Sequence, residues 1–261
     1  MSPEVIHWSM SHGTEEPWDV GGFIASAFVL TVVGFLGLIA ISLWMVVLRD
    51  VATAMMWSTP LSPPRVQVVG TVASGTGLLM TAAGYMAWSN RSLEFIDVEW
   101  PTLKHVGWIV VGLVGLFAAL YAISTLFQTF GVSTSQHTTS QAAKDNPALL
   151  LPLIPLSILL IGPGEELLYR NVVQKALYDT APRWVAVLTA SVVFSLVHFS
   201  AYSTGTTAEI FASLTIVFAL SLILGVIYER TENVVVPALV HGGYNALTFA
   251  LAYLELTSGT V

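Results

Sequence analysis

The sequence predicts an all-α fold, a polytopic transmembrane helix bundle of about seven or eight spans. Three observations carry that prediction. The chain of 261 residues is 55% hydrophobic and only 10% charged, against about 25% charged in an ordinary soluble domain. Its mean hydropathy is +0.76. Apolar runs long enough to cross a bilayer recur along the chain, separated by polar or proline-rich stretches. The expected location is therefore a membrane, the cell membrane, with multiple passes. The chain has no cysteine, which excludes disulfides, thiolate metal sites and a cysteine nucleophile. A net charge of −7 argues against nucleic acid as a partner.

Residues 1–20 hold no Lys or Arg and no apolar core, so they read as a polar tail rather than a signal peptide. Residues 21–130 read as an accessory transmembrane region of three spans. Phe23 to Leu48 is apolar and stops at Arg49-Asp50. Residues 51–65 form a loop, broken by Pro60, Pro63 and Pro64. Val66 to Trp88 is rich in Gly, Ala, Ser and Thr, which suits close helix–helix contact. Residues 89–105 are polar with tryptophans nearby, an interfacial signal. Val106 to Phe130 is the third span.

Residues 131–147 are Ser/Thr/Gln-rich and read as an exposed polar loop closed by Asn146-Pro147. Residues 148–254 then supply four spans. The fourth runs from about Ala148 to Tyr178 and contains Pro152, Pro155 and Pro163. A proline inside a helix removes a donor and clashes with the preceding turn. A kink or break is expected just before Glu165, and an eighth segment if the two parts separate. Trp184 to Phe199, Ala208 to Tyr228 and Val234 to Leu254 are the remaining spans. Basic residues fall on both faces: Arg49 and Arg65 on one, Lys175, Arg183 and Arg230 on the other. Loop charge therefore leaves the orientation open.

Ionisable groups inside such runs are costly and usually mark a site. Glu165, Glu166 and Arg170 lie within the fourth span, His198 in the fifth, and His241 and Asn245 in the seventh. Glu166 and Arg170 stand four apart with the acid first, the favourable order for a helical pair. Glu165 points about 100° away and needs a partner from elsewhere. Counting from one membrane face, Glu165, His198 and His241 lie at depths of roughly 18, 21 and 11 Å, so they meet near mid-bilayer. His7, His12, His105 and His137 fall in tails or loops. Gly242 and Gly243 suit either close packing or approach of a substrate backbone. There is no HExxH and no G-x-S-x-G. What remains is a carboxylate and imidazoles acting on water.

Three patterns, Glu165-Glu166-x-x-x-Arg170, Phe194-x-x-x-His198 and His241-x-x-x-Asn245, follow one another in separate spans. In order and spacing they resemble the motifs of the CPBP intramembrane proteases. That group contains the CAAX prenyl endopeptidases of the Ras-converting-enzyme type and the bacterial Abi proteins linked to bacteriocin immunity. The resemblance covers residues 148–254. It departs at Tyr169-Arg170-Asn171, where the usual pattern is Phe-Arg-Gly. It implies an intramembrane endopeptidase with Glu165, His198, His241 and Asn245 as catalytic residues, supported by Glu166 and Arg170. The expected partners are the lipid bilayer and a protein or peptide substrate, lipidated or not. Two mechanisms fit. In one, Glu165 is the general base, His198 orients the water, and His241 with Asn245 holds the oxyanion. In the other, Glu165, His198 and His241 hold a divalent metal such as zinc. The alternative function is a non-catalytic membrane scaffold or immunity protein of the same fold. A transporter with a proton relay is a third, and the inverted repeats it would show are not visible.

Overall fold

In lipid the backbone has no hydrogen-bond partner but itself, so apolar runs of this length settle as helices. The computed structural model describes residues 19–56 and 61–258, and every regular element among them is helical. Residues 1–18 of the expected polar tail and Pro60 of the first loop lie outside the described residues.

The first two spans are α1 (Val20–Met56) and α2 (Pro63–Trp88). At about 1.5 Å per residue, α1 outruns a hydrocarbon layer of about 30 Å. Next comes α3 (Leu103–Thr129), opened by a capping box in which Thr102 and His105 satisfy each other's backbone N–H groups. Residues 131–147 are not irregular throughout. They contain a short helix, α4 (Thr138–Asp145), with Ala143 fully buried.

The fourth span is Pro147–Leu177, a helical rod that is unbroken from Leu153 onward. Its α-helical pieces are α5 (Leu153–Leu156), α6 (Gly162–Glu166) and α7 (Lys175–Leu177). Two π-helical stretches, Ser157–Ile161 and Leu167–Gln174, join them. The break expected at Pro163 is therefore absent, and no eighth segment forms. The physical reason is the wider turn. Residues 157–161 just before Pro163 adopt the i→i+5 register, which absorbs the missing donor and makes room for the ring. Glu165 and Glu166 consequently sit mid-rod rather than at a helix start.

After it come α8 (Arg183–Val197), α9 (Thr207–Thr231) and α10 (Val235–Thr257). Six helices are long and apolar enough to cross a membrane, and α8 is a shorter apolar seventh. The chain is thus a multi-pass integral membrane protein. Successive crossings alternate. One face carries the 89–102, 178–182 and 232–234 connections. The opposite face carries 130–147 and 198–206.

Two close crossings fix the rod. A Cβ on Gly162 would stand 2.5 Å from the Ala238 carbonyl oxygen, and one on Gly242 would stand 2.6 Å from that of Ser157. Only glycine lets α10 approach the rod at this distance. Gly242 is thereby a packing point. The main core, built on Leu168, Tyr169, Val172, Val173, Val193 and Phe194, lies where the rod meets α1, α2 and α8. Tyr169 reaches α1 with a hydrogen bond to the Gly34 carbonyl at 3.2 Å.

Candidate active site

The Gly162–Gly242 crossing sets α10 against the rod one turn from Glu166, and the site follows from that contact. Glu166 and Arg170 are fully buried and paired, Oε2 to Nε 3.0 Å. The second carboxylate oxygen of Glu166 accepts the Nδ1–H of His241 at 2.8 Å. Arg170 also donates from Nη2 to Ser221 Oγ of α9 at 2.7 Å, and its guanidinium lies 5.2 Å from the Phe194 ring centroid. A carboxylate buried this way is kept charged by its partners, since unpaired it would be very unfavourable. One hydrogen-bonded chain thus runs from α9 through the rod to α10.

Glu165 points elsewhere, as its place in the helix requires. Its Oε2 is buried and has no hydrogen-bond partner among the described residues. It faces His198 Nε2 at 3.8 Å and His241 Nε2 at 3.9 Å. His198 ends α8, and its Nδ1 lies 2.7 Å from the Phe194 carbonyl. A carbonyl only accepts, so that nitrogen is the protonated one. The Phe194 ring packs against His198 at 4.5 Å between centroids, tilted by 36°. Both imidazoles therefore turn Nε2 toward Glu165 while Nδ1 is held by the protein. In the neutral form, each Nε2 offers a lone pair beside the carboxylate. Three acceptors converge on a gap that no donor among the described residues fills.

The gap opens into a cavity of about 520 Å³. Glu165, Phe194, His198, His241 and Asn245 line it, with Gln67 and Thr71 of α2 and Leu116 and Leu120 of α3. It leads from mid-rod toward the face carrying 130–147. The six residues singled out in the sequence thus come together. Glu165, His198, His241 and Asn245 share the cavity, while Glu166 and Arg170 lie directly behind it.

Donor chemistry at the gap, two imidazoles and a carboxylate, suits zinc. As the side chains stand, however, no three His, Cys, Asp or Glu residues among the described ones are grouped closely enough to hold a metal ion. The chemistry below is derived from the protein's own side chains.

Sequence reasoning missed several contributors. Ser221 and Gly225 are small residues in the apolar run of α9, with no pattern to mark them. Their role is visible only across the bundle: Gly225 accepts a hydrogen bond from Gln174 at 3.0 Å beside the arginine. Asn171, where the family pattern has Gly, is also explained. Fully buried, it accepts from the Asp97 N–H at 2.8 Å and donates to the Phe95 carbonyl at 3.1 Å. Lys175 and Tyr228 bind the Asp97 carboxylate, each at 2.6 Å. The side chain that replaces glycine ties the 93–99 segment over the end of the rod.

Comparison with known proteins gives the same direction. The family model described as type II CAAX prenyl endopeptidase Rce1-like matches residues 147–247. A Bacillus subtilis (strain 168) protein, YdiL, whose name marks it as a candidate membrane peptidase, is 28% identical over 139 residues. That alignment covers 51% of each chain, so the chain spans about half the length of this curated relative. No solved structure matches the chain. The matched segment holds all three motifs and every residue of the buried Glu–Arg–His arrangement, and over residues 147–247 the chain is similar to that family.

Proposed function

We propose that this chain is an intramembrane endopeptidase, resembling the CAAX prenyl proteases, that hydrolyses a peptide bond of a membrane-associated protein with water activated by Glu165. One observation carries the reading. A buried carboxylate oxygen without a hydrogen-bond partner among the described residues faces two imidazole nitrogens, 3.8 and 3.9 Å away, at the inner end of a cavity. Such a gap suits a water molecule better than any side chain present.

In this mechanism the water donates one hydrogen to Glu165 Oε2 and the other to His198 Nε2. Its oxygen lone pair is thereby aimed at the substrate carbonyl carbon. Attack forms the new C–O bond, and Glu165 takes the proton. The oxyanion is held by the Asn245 amide and by Nε2–H of His241 when that ring carries both protons. Glu166 keeps the Nδ1 proton of His241 in place, much as the aspartate of a serine-protease triad fixes its histidine. Collapse breaks the C–N bond, and Glu165 returns its proton to the leaving nitrogen. Ser191 and Ser195 are poor nucleophile candidates. Ser195 donates to the Leu214 carbonyl at 2.7 Å, and Ser191 is fully buried away from the cavity lining.

Should a metal be recruited on substrate binding, Glu165, His198 and His241 would hold it, and it would polarise the water in their stead. The test of function is a comparison of membrane-derived peptides from cells producing the wild-type chain or Glu165→Gln at equal membrane levels. Specific peptides that appear only with wild type support hydrolysis. Identical peptide profiles with an intact cellular phenotype favour the scaffold reading.

A further inference from the structure

Beyond the three motifs, the cavity has a wall that they do not supply. Residues 132–137 have no secondary structure of their own and then enter α4. Ser135 pins them. Its N–H donates to the Glu209 carbonyl at 3.2 Å, its hydroxyl donates to the Tyr202 carbonyl at 2.6 Å, and its own carbonyl accepts from Ser213 Oγ at 3.0 Å. Thr204 Oγ1 donates to the Gln136 carbonyl at 2.8 Å. The segment is thus a fixed part of the wall. Ser135 and His137 both line the cavity that holds Glu165 and His198.

His137 is the residue this framework positions. Its Nδ1 accepts the Thr139 N–H at 3.1 Å and caps α4. A ring nitrogen that accepts a backbone N–H carries no proton, so in the neutral ring the proton is on Nε2. The Tyr202 ring meets His137 edge-on at 5.4 Å and holds its plane. His137 is therefore a donor, where His198 and His241 turn toward Glu165. The cavity's charge selects what it donates to. Among the described lining residues there is one carboxylate, Glu165, and no Lys or Arg. A free carboxylate would meet Glu165 without a cation to offset it. A peptide carbonyl carries no charge and needs only a donor.

We propose that His137 forms a second polar subsite of the cavity, in which its Nε2–H donates to a backbone carbonyl of an internal, uncharged stretch of the substrate peptide. This rests on the peptidase reading and adds the substrate class: a chain cut internally, with its free C-terminal carboxylate outside the cavity.

The test uses the 261-residue chain in detergent with His198→Ala, which removes the group that orients the water and keeps the Glu165 carboxylate, so that peptide is held rather than cut. The probe is a dye-labelled pool of short Leu/Ala/Ser/Thr peptides, made as the C-terminal amide and as the free acid. His137→Asn is the informative variant, because Asn caps a helix at least as well as His and lacks the Nε2–H. The expected result is binding of the amide weaker by roughly five- to tenfold, the size of one lost neutral hydrogen bond, with an unchanged melting temperature. The chain with His137 intact should also bind the amide more tightly than the free acid. If His137→Asn melts lower, His137→Ser replaces it as a capping residue without the ring. Unchanged amide affinity in a stably folded variant overturns the subsite, and so does tighter binding of the free acid. If the chain with His137 intact binds neither peptide, the peptidase reading fails and the subsite with it.

Discussion

At the scale of single residues, the two adjacent glutamates do different work because a helix turns them apart. Glu166 has both oxygens engaged, one by Arg170 and one by His241. Glu165 has a buried oxygen with no hydrogen-bond partner among the described residues. Replacing Glu166 with Gln leaves Arg170 as an uncompensated buried cation, a loss of about 3–5 kcal/mol. Replacing Glu165 with Gln removes no pair. Thermal melts in detergent should therefore place Glu166→Gln well below Glu165→Gln, and the reverse order would interchange their roles. Asn245→Ala should fold normally and lower kcat by about 10²–10³, as loss of one oxyanion donor does. A rise in KM with kcat unchanged would remove Asn245 from the oxyanion site.

Part of this was legible in the sequence. The Glu166–Arg170 pair follows from i,i+4 spacing alone, and residue counts bring Glu165, His198 and His241 to one depth. The second partner of Glu166 was not legible. Its bond to His241 spans 75 positions of chain, and helical periodicity says nothing about contacts between helices. Ser221 was hidden for the same reason, and His137 because a polar loop shows no cavity.

At the scale of elements, the rod between Pro147 and Leu177 decides the geometry. A proline in a helix reads as a break, and only the structure shows it relieved by a π-helical turn. That turn has no sequence signature of its own, being a choice of hydrogen-bond register imposed by packing. The crossing with α10 was half legible: Gly242 was expected either to pack closely or to admit a substrate, and it packs. Gly242→Ala should be harmful although it adds a single methyl group. Its Cβ would meet the Ser157 backbone, which has no rotamer to yield. Overpacking of this sort destabilises by about 1–3 kcal/mol. The shift should also part His241 from Glu166, so activity should fall more than stability explains. Gly84→Ala on α2, where a Cβ meets nothing within 4 Å, is the matched control and should be silent. Equal behaviour of the two variants would contradict the crossing.

For the whole molecule, the bundle encloses a cavity that opens toward one face, where the 132–145 segment forms part of its wall. The opposite end is tied down by Asp97, Asn171 and Lys175. The 132–145 segment has its own pH response. Burial, and secondarily the nearby His198 ring, push the His137 imidazole down from 6.5 to about 4. Folding therefore favours the neutral ring. The stability this gives is fully present above about pH 6.5 and is lost as pH falls toward about 4, because the unfolded chain takes up the proton first. Protonation also turns the α4 cap from acceptor to donor. Protection against amide exchange across 132–145, relative to the intrinsic rate at each pH, should fall over that window in the wild-type chain and stay constant in His137→Asn. Equal acid sensitivity in both would move the effect to another group.

The central claim is that one cavity, at mid-bilayer, holds water on Glu165 for peptide-bond hydrolysis. The most direct measurement is peptide cleavage by the purified chain after exhaustive chelation, run beside Glu165→Gln with matched melting curves. Cleavage that survives chelation and disappears in Glu165→Gln is the predicted result. A stably folded Glu165→Gln that cleaves at the wild-type rate would contradict it.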